Sequence, residues 1–168
     1  MNVIVRPHGR QALVDWGKGP RRAAIGRAGI GVKQCEGDGI TPLGAFAVRR
    51  VLYRADRIAA PATALPVAPI APQDGWCDAP ADPAYNMPVT RPYPASNEAL
   101  WRGDGLYDLI LVLGFNDNPV APGKGSAIFL HVARPDRGPT EGCVALARED
   151  LQDVVAILKP GDLVVVRP

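Results

Sequence analysis

The chain has 168 residues, 47% hydrophobic and 21% charged, which fits one folded domain spanning 1–168 and excludes a disordered tail. Its net charge of +2 gives no reason to expect a nucleic-acid or anionic-membrane partner. Glycine and proline number 18 each, so many turns and few long helices are expected.

At the N-terminus, Val3-Ile4-Val5 and Gln11-Ala12-Leu13-Val14 read as short strands on either side of His8-Gly9-Arg10, and Arg22–Gly26 as another. The opening residues lack the basic region, long apolar stretch and cleavage site of a secretory signal. The expectation is a cytoplasmic protein, a mature form, or export by another route. No apolar run is long enough to span a bilayer.

Asp38-Gly39-Ile40-Thr41-Pro42-Leu43-Gly44 cannot lie inside a helix, and 45–52 suits a strand. Asp38-Gly39 reads as a turn and Thr41-Pro42 as a strand entry, with a place beside a cleft as the alternative. Residues 56–105 carry nine prolines between 61 and 94, interspersed with Trp76, Tyr85, Tyr93 and Trp101. Prolines at that density exclude a central sheet and a long helix, while the aromatics point to an ordered, packed loop. Tyr85 and Trp101 read first as packing residues, and second as stacking surfaces for a ligand.

Leu109-Ile110-Leu111-Val112-Leu113 is continuously apolar, the pattern of a buried strand. Over 126–132 apolar character alternates: Ile128, Leu130 and Val132 face one way, Ala127, Phe129 and His131 the other. Residues 148–159 form the one expected helix, with Leu151, Val154, Val155 and Leu158 on a stripe. Glu149 and Asp150 suit its positive end, Lys159 its negative end, and Pro160-Gly161 stops it. Leu163–Val166 is a last strand.

Cys35, Cys77 and Cys143 are odd in number, with no C-x-x-C pair; a Cys35–Cys77 disulfide is left open, and a zinc site would need distant partners. The informative pair is His131 and Cys143, twelve positions apart, across a loop with room to fold back. An imidazole can take a thiol's proton, hold the thiolate as an ion pair and later protonate a leaving amine. Backbone N–H groups of Gly142, Cys143 and Val144 are candidate donors to an oxyanion. The alternative is a small core cysteine and a structural histidine.

Two segments carry a family resemblance. Asp38-Gly39-Ile40-Thr41-Pro42-Leu43-Gly44-Ala45-Phe46 is similar to D-G-x-T-P-x-G-x-F, and His131 with Thr140-Glu141-Gly142-Cys143-Val144-Ala145-Leu146 to H…[ST]-x-G-C-V-x-L. Both resemble the L,D-transpeptidase (YkuD-type) catalytic domain. Trp76-Cys77-Asp78, Tyr85-Asn86 and Gly114-Phe115-Asn116-Asp117 resemble a short subgroup of that family. The resemblance implies a mostly-β fold, a sandwich or flattened barrel. It implies Cys143 as nucleophile and His131 as acid/base; Gly142, Val144, Thr140, Glu141 and Arg134 are the candidates for oxyanion or substrate binding around them. It implies acyl transfer between a donor and an amine-bearing peptidoglycan stem peptide, no metal or cofactor, a cell-envelope or periplasmic location and a monomer. A carboxypeptidase or amidase using the same site, and a non-catalytic peptidoglycan-binding domain, are the alternatives. The chain departs from the common pattern at Glu141, Ala145 and Val132, where histidine, arginine and glycine are usual. Glu141 is a candidate to orient His131 or attract an amine; Arg134, Arg137 or Arg148 are candidates to replace the missing arginine.

Overall fold

A computed structural model describes all residues, Met1–Pro168. Fourteen strands and one helix follow in chain order: β1 (Asn2–His8), β2 (Gln11–Asp15), β3 (Arg21–Ala23), β4 (Ile30–Gly31), β5 (Thr41–Pro42), β6 (Gly44–Tyr53), β7 (Val67–Pro69), β8 (Asp74–Cys77), β9 (Pro88–Thr90), β10 (Asn97–Ala99), β11 (Leu109–Leu113), β12 (Phe129–Val132), β13 (Val144–Leu146), α1 (Arg148–Ile157) and β14 (Leu163–Val166).

The main sheet runs β13-β12-β11-β6-β14-β1-β2-β3. Its end strands nearly meet: Ala24, just past β3, exchanges two backbone hydrogen bonds of 2.8 Å with Ala145 of β13. The sheet thus approaches a flattened barrel, the expected mostly-β architecture. Strand β6 joins its halves, pairing β14 through Gly44–Ala47 and β7 through Val51–Tyr53 along one edge, and β11 along the other.

Because strand side chains alternate, β11 is buried on both faces. Leu109, Leu111 and Leu113 enter a large core with Val3, Val5, Leu130, the helix residues Leu151, Val154 and Val155, and Leu158 just past the helix. Ile110 and Val112 enter a second core with Trp76, Leu106, Tyr107, Phe129 and Cys143. The cover over this second core is the Pro-rich stretch. It contains no helix, as its composition demanded, but folds a separate three-stranded sheet, β10-β8-β9, that the sequence did not reveal.

Two expectations need correction. The helix ends at Ile157, and Leu158 is already extended, so Lys159 does not face the C-terminal end of the dipole from within the last turn. Pro160 disfavours helical backbone at Lys159, whose N–H instead donates to Asp162 Oδ2 at 2.9 Å. The strand expected over 126–132 begins only at Phe129, because Ala127 takes φ +53.

Candidate active site

His131 and Cys143 are brought together by the parallel pairing of β12 with β13, in which Leu130 faces Val144 and His131 faces Ala145. Alternation sends Leu130, Val132, Val144 and Leu146 into the large core. The opposite face carries Phe129, His131 and Cys143 toward the Pro-rich cover. Cys143, one residue before β13, therefore lies diagonally across from His131.

The thiol is 8% exposed and the imidazole 6%. Cys143 Sγ donates to Ala127 O at 3.2 Å and accepts the Phe129 N–H at 3.4 Å. His131 Nδ1 lies 2.9 Å from Val132 O. A carbonyl there requires the proton on Nδ1, which leaves Nε2 as the basic nitrogen. The Tyr107 ring packs edge-on against the imidazole at 5.2 Å.

Burial pushes the Cys143 thiol up to about 12, with the charge of Glu98 acting in the same direction. Burial also brings His131 down to about 4, assisted by Arg102 and Arg134 and opposed by the Val132 carbonyl and Asp104. At neutral pH the resting pair is thiol and neutral imidazole. The ion pair expected from the sequence is absent from the resting state, because neither charge is solvated in this pocket.

The turn that carries Cys143 is pinned from beneath. Thr140 Oγ1 donates to Cys143 O at 2.6 Å and accepts the Gly142 N–H at 3.1 Å. Thr140 itself is paired through its backbone to Ile25 and Arg27. Gly142 has φ +139, and a β-carbon there would lie 2.9 Å from Ile40 O. The Asp38–Pro42 segment is thus the floor of the Thr140–Cys143 turn. Asp38 shapes that floor: it accepts Lys33 Nζ at 2.6 Å and the N–H groups of Gln34, Cys35 and Ile40. Burial would raise its carboxyl, but these donors hold it well below the usual carboxylate range. Thr41, fully buried, accepts the Gly26 N–H through Oγ1 at 2.8 Å.

Above the turn opens a cleft of about 400 Å³. Cys143, His131, Thr140, Glu141 and Arg134 border it; Gly142 and Val144 do not. Gly142 is buried against Ile40 with its N–H committed to Thr140, and the Val144 side chain belongs to the large core. The Cys143 N–H has no hydrogen-bond partner within the protein and is a free donor of this turn.

Glu141 pairs with Arg27 and its side chain is 79% exposed, so it does not orient His131; the Val132 carbonyl does. Among the three arginines, Arg148 is bound to Asp108 at 2.7 Å and Arg137 lies outside the cleft lining, whereas Arg134 borders the cleft without an ion pair. All three cysteines are free. Tyr85 is buried, its hydroxyl donating to Glu36 at 2.5 Å and accepting the Gly125 N–H. Arg54 covers a face of Trp101 at 3.5 Å.

The Pro-rich cover supplies Glu98 and Arg102, cleft residues that the sequence did not single out, and Asp78, marked there only through the resemblance; Tyr107, just beyond the cover, also borders the cleft. Glu98, a lone carboxylate in a three-residue strand, carries no pattern by which to find it. Asn86 stands out in the sequence only through a resemblance, yet its side chain holds the Ala127 backbone that receives the Cys143 thiol.

A family model described as the L,D-transpeptidase catalytic domain matches residues 3–166. No curated protein matches the chain. Among solved structures, Mycobacterium tuberculosis L,D-transpeptidase 1 is similar at a TM-score of 0.41 and 12% identity, over 98% of this chain and 59% of that one.

Proposed function

Matched by that model over almost its full length, the chain belongs to the L,D-transpeptidase catalytic-domain (YkuD) family, and we propose that it is a cysteine acyltransferase working on peptidoglycan stem peptides at the cell envelope. The observation that carries this reading is the packing of its two signatures. The Asp38–Pro42 floor meets the Cys143 turn at Ile40 and Gly142, beneath a cleft that both Cys143 and His131 border. No helix is long and apolar enough to cross a membrane.

Substrate binding turns the thiol from Ala127 O toward His131 Nε2. As Sγ attacks the carbonyl of an L-centre joined to D-alanine, Nε2 takes the thiol proton. The Val132 carbonyl, already bonded to Nδ1–H, steadies the imidazolium. The free Cys143 N–H donates to the oxyanion. Collapse breaks the C–N bond, D-alanine leaves with the Nε2 proton, and a thioester remains on Cys143. An amine of a second stem then attacks the thioester and gives its proton to Nε2. The thiolate departs and takes that proton back, leaving a new amide. Arg134, exposed at the cleft edge, binds a substrate carboxylate.

Intact-mass analysis after incubation with a tetrapeptide donor tests this reading. A transient acyl adduct is expected on the wild type, none on Cys143→Ala, and a much slower one on His131→Ala. Equal labelling of wild type and Cys143→Ala assigns the wrong nucleophile. Product analysis with and without an amine acceptor separates transpeptidation from hydrolysis, and muropeptide binding without an adduct identifies a non-catalytic domain.

A further inference from the structure

The total charge of +2 conceals a segregation. Residues 1–32 carry six basic side chains, Arg6, Arg10, Lys18, Arg21, Arg22 and Arg27, against one acidic, Asp15, so the rest of the chain is net negative. The fold then sorts these cations by face. Lys18 and Arg21 turn toward α1, pairing with Asp153 at 2.9 Å and Asp150 at 3.4 Å. Arg27 pairs with Glu141 beside the Cys143 turn. Arg6 and Arg22 are exposed and have no ion-pair partner.

Strand register places these two in a row with a third arginine. Val3, Val5, Val14, Ala23 and Val166 enter the large core, so the residues alternating with them face outward. Arg6 is paired with Leu13, and Leu13 with Arg22. On the other side of β1, Arg167 follows the Val5–Val166 pair and donates its N–H to Val5 O at 2.9 Å, which sets it beside Arg6. Arg167, also exposed and unpaired, thus opens a row of Arg167, Arg6, Leu13 and Arg22 across the outer face of β14-β1-β2-β3. Three strand spacings make that row roughly 14 Å long.

The next outward positions on this face are apolar. Ile4 pairs with Val165, and Leu163 lies two residues earlier on the same side of β14. Ile4, Leu13, Leu163 and Val165 are half-buried, yet none belongs to either core. The only carboxylate at an outward position of these four strands is Asp15, which accepts the Gly17 N–H at 2.8 Å.

We propose that this outer face docks on an anionic bilayer surface, with the three arginines on lipid phosphates and the four apolar side chains against the interface. Guanidinium groups pair with phosphate oxygens in a bidentate geometry. Charge alone would suit a hydrated polyanion equally well. The apolar side chains set among the arginines favour a bilayer, because its interface buries them and a hydrated polymer does not. None of the residues of this face borders the cleft, so docking leaves the cleft lining free. The inference goes beyond the acyl-transfer reading and does not depend on it.

Cosedimentation of the full chain with vesicles tests the docking face without requiring turnover. The vesicles are phosphatidylcholine alone and phosphatidylcholine with an equal part of phosphatidylglycerol. Binding to the anionic vesicles is expected to be at least about tenfold tighter, with the preference shrinking as salt is raised to about 0.5 M. Each arginine at a membrane surface is worth about fivefold, so Arg6→Gln/Arg22→Gln/Arg167→Gln is expected to weaken binding on the order of a hundredfold. The control variant Arg50→Gln/Arg91→Gln/Arg137→Gln carries the same net charge but keeps the row, and should stay close to its parent. Equal binding to the two kinds of vesicle, or equal loss in the two triple variants, overturns the proposal.

Insertion of the apolar residues is read separately, on a protein that keeps all its arginines. The emission of Leu13→Trp, taken as the difference from its parent, should move to shorter wavelength on anionic vesicles and stay unchanged with soluble polyphosphate. An emission that does not move on vesicles, with polyphosphate bound as tightly as lipid, overturns the bilayer and gives the face to a hydrated polyanion. Should the triple variant of the row fail to match its parent's melting curve, the salt dependence and the Leu13→Trp shift still decide.

Discussion

Asn86 sits in left-handed backbone at φ +58 and uses every hydrogen-bonding valence of its side chain. Oδ1 accepts Trp76 Nε1–H and Ala127 N–H, each at 3.0 Å, and Nδ2 donates to Phe115 O at 2.9 Å and Asn116 O at 2.8 Å. Ala127 then presents its carbonyl to the Cys143 thiol. In the proposed mechanism Asn86 is therefore a positioning residue, acting on the Cys143 thiol through Ala127. Asn86→Ala leaves several buried groups unsatisfied and is expected to cost about 3 kcal/mol in denaturant unfolding. Acylation should slow at least about tenfold with little change in donor KM; an unaltered acylation rate would reduce Asn86 to a packing residue.

The buried imidazole also predicts an acid limit. His131 falls from an ordinary 6.5 to about 4 on folding, so between those values the unfolded chain binds the extra proton. Its contribution to stability is fully present above about pH 6.5 and is lost as pH falls toward 4, up to about 3 kcal/mol. Urea midpoints across that window should drop, and the drop should flatten in His131→Gln. The thiol gives the complementary signature: alkylation of Cys143 should rise about tenfold per pH unit without levelling off until near pH 12.

Among the elements, α1 is well anchored and poorly capped. Its Leu151, Val154 and Val155 side chains are fully buried, and Glu149 and Asp150 occupy the first turn. Ala147 at the N-cap provides no side-chain hydrogen bond, although its extended backbone suits a capping residue. Ala147→Ser is expected to add about 0.5–1 kcal/mol and raise Tm by about 1–4 °C, as calorimetry would read. The strands show where local pattern suffices. β11 is recognisable because both faces are apolar, and the alternation through β12 correctly divides its residues between two cores. Strands β8, β9 and β10 are not recognisable, being three or four residues long, with Gly75 and Pro88 among them. Only their mutual pairing makes them strands. The late start of β12 is equally hidden, since the turned backbone at Ala127 is held by the distant Asn86 side chain.

At the scale of the molecule, the site depends on segments far apart in sequence meeting along one seam. Gly26 is the tightest point of that seam. It pairs with Thr140, donates to Thr41 Oγ1, and lies so close to Gly39 that an added β-carbon would sit 2.1 Å from its carbonyl oxygen. Gly26→Ala must push the Asp38–Pro42 floor away from the Thr140–Cys143 turn. A loss of about 3 kcal/mol or more is expected, together with loss of acylation under conditions where circular dichroism still reports the native sheet. Native-like stability and acylation in that variant would remove the floor from the account of the site.

Local pattern along the chain suffices for the mostly-β class, the helix, the buried strand, the alternation that turns His131 away from the large core, and the two signatures that mark the family. These are set by neighbouring residues: side-chain period, turn chemistry, and the order of a few chemical groups. Only the folded assembly makes the thiol and imidazole rest uncharged, lets a backbone carbonyl and not Glu141 orient the ring, and leaves Arg134, of the three candidate arginines, at the cleft without an ion pair. It also stands Glu98 and Asp78, far from Cys143 in the chain, in the cleft of that thiol. The reason is that charge state and proximity depend on which distant segments exclude water together, and no run of neighbouring residues records that.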